Sequence, residues 1–226
     1  MSCRRTSAVT VIAISLLGTV IPNDRGANAT MTNWSFDADT EGSPPAGFTF
    51  AKTDGGRMGR WIVRASAGAP SGGKVLAQVD DDQTDGRFAL AVANEPSLRD
   101  LRLSVKCKPV SGRVDQACGL VFRYRDEDNY YVARANALED NVNLYHVVDG
   151  RRRQFAGWKG RVTGGEWHSL RVDAAGEDLE VYWDGKKVID AEDATFRDAG
   201  KVGLWTKADS ITEFDDLTVE PAGSGS

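Results

Sequence analysis

The sequence predicts an all-β protein, a two-sheet antiparallel β-sandwich of about a dozen strands, and three observations carry that prediction. Short apolar runs recur along the chain, each closed by a turn signal. The 24 glycines are scattered between those runs, as tight turns between many strands require. The clearest runs alternate apolar and polar residues with a period of two, and no segment holds a convincing amphipathic helical period. With 226 residues, 41% of them hydrophobic, the chain is long enough to bury one large core.

Residues 1–29 read as a signal peptide. Arg4 and Arg5 precede a charge-free apolar stretch from Ala8 to Ile21, and Ala27-Asn28-Ala29 follows as a cleavage site. That stretch is shorter than the roughly 20 residues a membrane helix needs, so the expected mature chain is secreted, periplasmic or extracellular, and free of the membrane. The segment removes Arg4, Arg5, Arg25 and Asp24, a net +2, from a chain at −5, and leaves the mature chain at −7. An acidic protein is a poor partner for nucleic acid. Arg151-Arg152-Arg153 is the main basic cluster, and it reads as a strand start with exposed side chains.

The β-sandwich domain is expected over residues 30–220, with 221–226 as a flexible tail. Residues 30–60 are turn-rich, apart from a first strand at Trp34 and Phe36. Further strands follow at Trp61 to Val63, Lys74 to Val79 and Phe88 to Val92. Leu101, Leu103, Val105 and Cys107 then alternate with Arg102, Ser104, Lys106 and Lys108, and Cys118, Leu120, Phe122 and Tyr124 repeat the pattern. Folded as a hairpin, these strands set Val105 against Leu120, Leu103 against Phe122 and Leu101 against Tyr124, with no slip of register. That register places Cys107 beside Cys118, close enough for a disulfide. Strands continue over 129–136, 141–148, 153–158, 167–174, 178–183, 186–190, 200–207 and 211–219, with Asp149-Gly150 and Asp184-Gly185 as tight turns. Ala191 to Asp198 is expected to form one short helical turn.

The run Gly119-Leu-Val-Phe-Arg123 followed by Asn129-Tyr130-Tyr131 resembles the central strands of concanavalin A-like and laminin-G-like jelly rolls. So does Trp167-His168-x-Leu170-x-Val172, with Leu179-x-Val181 and Asp184-Gly185-Lys186 after it. Val202-Gly203-Leu204-Trp205 and Phe214-Asp215-Asp216-Leu217-x-Val219 resemble the last two strands. The likeness spans most of residues 34–220 and is nearest to the bacterial secreted branch of 3-keto-disaccharide hydrolases and family-16-glucanase-like sandwiches. It implies a jelly roll in which one outer sheet face forms a ligand-holding groove, and it identifies fold better than activity.

The glucanase relatives carry two carboxyls on one strand face for retaining hydrolysis. The nearest match is Glu213-Phe214-Asp215, but the second glutamate is replaced by Leu217 and Thr218, so that mechanism does not carry over. The keto-disaccharide hydrolase resemblance implies cleavage of a sugar already oxidised at C3, where the ketone acidifies the neighbouring C–H and a base with a polarising donor suffices; His146 and His168 are the base candidates. Structural calcium is a possible cofactor, through Asp37 and Asp39 near the first strand and Asp215 and Asp216 near the last. A carbohydrate partner needs aromatic faces and planar polar groups; the candidates are Arg123, Tyr131, Arg134, His146, Trp158, Trp205, Lys207 and Asp209. The leading reading is a glycan-binding module. Hydrolysis or elimination of 3-keto-glycosides and a laminin-G-like adhesion role are the alternatives.

Overall fold

The computed structural model describes Met1 and residues 30–222, so all but the first residue of the expected signal peptide lies outside the described residues. Fifteen strands make the fold: β1 (Thr32–Trp34), β2 (Phe48–Thr53), β3 (Trp61–Ala65), β4 (Lys74–Gln78), β5 (Phe88–Leu98), β6 (Leu101–Ser111), β7 (Ala117–Asp126), β8 (Asn129–Asn136), β9 (Asn141–Val148), β10 (Arg151–Lys159), β11 (His168–Ala175), β12 (Asp178–Trp183), β13 (Lys186–Glu192), β14 (Gly200–Lys207) and β15 (Ile211–Pro221). An eight-stranded sheet runs β13-β12-β11-β6-β15-β4-β3, with β1 also on β15. A seven-stranded sheet runs β10-β9-β8-β7-β14-β5-β2. Every pairing is antiparallel.

The expected hairpin of the two alternating strands does not form. β6 pairs with β11 and β15 in one sheet, and β7 pairs with β8 and β14 in the other. Alternation fixes which face of a strand is buried, not which strand lies beside it. The apolar faces of β6 and β7 therefore meet across the sandwich, and the Cys107–Cys118 disulfide (Cα–Cα 6.3 Å) ties sheet to sheet. Tyr124 leaves the expected apolar row. Arg123 takes a positive φ of 47° at a register break in β7, and Tyr124 packs instead with the cluster on the outer face.

Two further expectations fail locally. Phe48–Thr53 is a strand inside a region that reads as turns, because Phe48 and Phe50 reach the core despite the neighbouring glycines and prolines. Ala191 and Glu192 finish β13, and no helical turn follows them. Here Asp193 accepts the Thr195 amide at 2.8 Å and turns the chain without a helix. The inter-sheet core is aromatic at its centre. Trp61 packs on Phe214, and Phe122 stacks on Tyr131 at 5.1 Å. The outer face of the eight-stranded sheet is polar and ion-paired, with Arg102 on Asp173 at 2.9 Å and Arg171 over the Tyr182 ring at 3.6 Å.

Candidate functional site

The outer face of the seven-stranded sheet is neither flat nor plainly solvated. Neighbouring strands lie about 4.8 Å apart, so five spacings would separate β10 from β5 by roughly 24 Å in a flat sheet. Arg152 of β10 nevertheless sits 4.5 Å from the ring centre of Phe88 on β5, 4.5 Å from Tyr145 on β9 and 5.5 Å from Trp205 on β14. The sheet must curl round that side chain. This curvature buries Leu90, Val121, Tyr130, Val132, Val147 and Trp205 on a face turned away from the partner sheet.

Glycines shape the floor. Gly119 lies opposite Trp205, where an added Cβ would stand 3.2 Å from the indole, so its absence lets the ring lie on the backbone. Trp205 stacks on Phe88 at 5.1 Å. Gly157, just past a bulge of β10 and paired with Asn143, leaves room for the Asn143 side chain, which a Cβ would meet at 2.3 Å.

Polar groups ring this floor. On β8, the residues sharing a face with Tyr130 and Val132 are Arg134 and Asn136, both buried. Asn136 donates to Asp115 at 2.9 Å and accepts the Leu138 amide. Asp115 is wholly buried; it pairs with Lys207 at 3.1 Å and lies 4.0 Å from Arg134. Burial pushes its carboxyl above the ordinary value against the pull of Lys207 and Arg134. Arg134 donates to Glu139 and Asn141 at 3.0 and 2.6 Å. With its amide oxygen turned inward, Asn143 accepts from both Tyr145 and Arg134. Lys207 also bonds Asp85 at 2.6 Å.

Arg152 differs from these cations. Among the described residues its guanidinium makes no hydrogen bond and no ion pair, and Nη1 is buried without a partner. Aromatic faces hold it instead, a favourable contact for a weakly hydrated cation. Burial lowers its proton affinity, with Tyr145 opposing, yet an arginine stays charged.

Of the eight residues expected to bind ligand, Arg134, Trp205 and Lys207 meet on this face. Asp209 stands behind them. Its carboxylate accepts the amides of Arg113, Val114 and Asp115 at 2.7 to 3.0 Å and so aims the Asp115 loop. The other four lie elsewhere. Arg123 is buried at the end of the sandwich and donates to the carbonyls of Arg99, Phe196 and Gly176. Its bulge turns it off the groove face and makes it a clamp on three loops. Trp158 packs against the inter-sheet core. Tyr131 and His146 point to the core side and meet at Asp193 near the sheet edge. The Tyr131 hydroxyl bonds its carboxylate, and His146 Nδ1 lies 3.4 Å from it and 3.3 Å from Thr195. Burial raises Tyr131 to about 12.

Sequence reasoning missed Asp115, Asn136, Tyr145, Phe88 and Arg152. Parity along β8 assigns Asn136 to the face of Arg134, so that one was within reach. Arg151 and Arg153 are exposed as expected, but Arg152 between them is the caged residue, which corrects the reading of the triplet as a plain exposed strand start.

The acids expected to bind calcium are held by protein donors. Asp37 accepts the Gly73 and Lys74 amides, Asp39 the Ala46 amide, and Asp215 and Asp216 share Ser71. Among the described residues no three His, Cys, Asp or Glu side chains gather as a metal site. Glu213 and Asp215 lie on the eight-stranded sheet, away from the groove. Glu213 is spent on Arg64, Ser66 and Lys108. His168 stacks on Trp183 and bonds Asp184 at 2.8 Å, a contact that fixes a turn.

These features define a concanavalin A-like jelly roll with a concave outer face on one sheet, a groove filled by its own buried aromatic and polar side chains with Arg152 part-exposed over them. Residues 28–220 match the family described as the 3-keto-alpha-glucoside-1,2-lyase-like domain, and the chain belongs to it. A levanase of Bacillus subtilis (strain 168) is 31% identical over 107 residues, 46% of this chain but 15% of the levanase. Solved structures share the fold. The carbohydrate binding module CBM66 from Bacillus subtilis has a TM-score of 0.62 at 24% identity, covering 77% of this chain and 95% of that one. The exoplasmic/lumenal domain of VIP36, solved with Ca2+ and mannose, has a TM-score of 0.58 at 14% identity over 87% and 91% of the two chains. Domain 4 of an extracellular arabinanase from Geobacillus stearothermophilus, in complex with arabinotriose, has a TM-score of 0.54 at 14% identity, over 86% and 93%.

Proposed function

We propose that the protein is an exported glycan-binding module whose ligand lies in the groove of the seven-stranded sheet. The observation that carries this reading is the arginine cage. Arg152, held by Phe88, Tyr145 and Trp205 and without a hydrogen-bonding or ion-pairing partner among the described residues, sits beside the polar set Asp115, Arg134, Asn136 and Lys207. Sugars present hydroxyls to planar donors and acceptors, and Arg152, part-exposed above a floor that is itself buried, offers such a donor at the mouth of the groove. The sugar-bound VIP36 and arabinanase structures and the CBM66 module support it as folds that carry such ligands. A glycan array probed with residues 30–226 tests it. Binding is expected, and Arg152→Gln is expected to weaken it at least ten-fold; wild-type silence across the array contradicts the reading.

Family membership and one cluster favour a second reading, cleavage of 3-keto-glycosides. His146 lines a cleft with Arg151 and Arg153, and Asp193 and Thr195 back its ring. Burial pushes Asp193 up, but hydrogen bonds from Thr195 and Tyr131 outweigh it and hold the carboxyl below its ordinary value. An ionised carboxylate behind Nδ1 suits a histidine that takes a proton at Nε2. Release of free sugar from a 3-keto-glucoside, lost in His146→Ala, is the outcome that favours this reading.

A further inference from the structure

We propose that the glycan held in the groove carries an anionic group, a carboxylate or sulfate, and that Arg152 pairs with it. This rests on the glycan-binding reading and narrows it to acidic sugars.

The argument is one of charge. Three cations line the groove: Arg134, which is buried, Lys207, which is largely buried, and Arg152, which is part-exposed. Arg134 has Glu139, and Lys207 has Asp85 and Asp115. Arg152 has no acid within bonding distance among the described residues, and Asp115 acts on it only through space. Asp115 is the one fully buried carboxylate of the set, because Glu139 and Asp85 are 48% and 77% exposed at the rim. Arg152 is part-exposed with Nη1 buried; a partly desolvated cation without a counter-ion carries a cost that an incoming anion relieves. The guanidinium fork matches a carboxylate or a sulfate edge with two parallel N–H bonds. Its planar orientation is already set by rings on β5, β9 and β14, so little entropy is lost on pairing. A neutral sugar would leave the charge where it is.

Calorimetric titration with matched ligands tests this on the intact mature protein. The probes are oligogalacturonides, the same oligomers with their carboxyls reduced to alcohols, and a sulfated oligosaccharide beside its desulfated form. At least one acidic probe is expected to bind ten-fold or more tighter than its neutral counterpart; the preferred pair tells carboxylate from sulfate. The preference is expected to vanish in Arg152→Gln and to shrink in Arg152→Lys, which keeps the charge and loses the fork. The wild-type comparison needs no variant, so a misfolded mutant does not spoil it. Equal or better binding of the neutral forms overturns the acidic-sugar inference and leaves the glycan-binding reading in place. No binding to any glycan, these probes and the array included, overturns both.

Discussion

Two arginines on the seven-stranded sheet, Arg123 buried and Arg152 part-exposed, have opposite work. Arg123 saturates three loop carbonyls and makes no approach to the groove. Its replacement by Ala strands three acceptors in a buried place and is expected to cost about 3 kcal/mol of stability, read as a lowered urea midpoint. Arg152 makes no such bonds. Arg152→Gln removes a partly desolvated charge, so stability is expected to change by less than about 1 kcal/mol while glycan affinity falls at least ten-fold. The pair separates a structural arginine from a ligand-holding one within a single fold. Asp209→Ala is expected to act at one remove. It frees the amides that hold the Asp115 loop and weakens binding while leaving Arg152 untouched.

Between elements, the sandwich is tied by one covalent link and several ion clusters. The Cys107–Cys118 bond joins β6 to β7 across the sheets over a separation of 11 residues. Replacing both cysteines with alanine is expected to cost about 2–3 kcal/mol, as for short disulfide loops, measured by urea unfolding. Glu213 draws β3, the Ser66 turn and β6 onto β15 through Arg64, Ser66 and Lys108. Burial raises its pKa, but those partners outweigh burial and hold the carboxyl below its ordinary value. A depressed folded-state value means the stabilisation is complete above the ordinary value of 4.5 and is lost as pH falls through the folded one. Glu213→Gln is therefore expected to flatten the acid limb of a stability-against-pH curve below about pH 4.5. Asp115 runs the other way. Its raised value makes ionisation costly in the folded state, so Asp115→Asn is expected to remove a loss of stability that sets in as pH rises from 3.8. This level is also where the sequence was most and least readable. Alternation gave the buried faces of β6 and β7 and the disulfide, because side-chain parity is a local property. It assigned the wrong neighbours, because the chain crosses from one sheet to the other between Ser111 and Ala117, and nothing local records that crossing.

At the scale of the whole molecule, the jelly-roll class and its family were legible from strand motifs, whereas the site was legible only in part. Arg134, Trp205 and Lys207 lie on strands whose parity exposes them to one face. Phe88 and Arg152 come together only because the sheet curls across five strand spacings, and curvature has no signature in a run of eight residues. Likewise Arg123 shared the parity of the groove face until a positive φ turned it away. The same curvature separates the two functional readings in space, since the Arg152 cage lies on the outer face and His146 on the core side of the sheet edge.

The most direct test of the groove is therefore a glycan array read with three proteins: wild type, Arg152→Gln and His146→Ala. A groove-held ligand predicts binding by wild type and His146→Ala and at least ten-fold weaker binding by Arg152→Gln. Binding that survives Arg152→Gln undiminished and disappears in His146→Ala would contradict the account and move the site to the edge of the sheet.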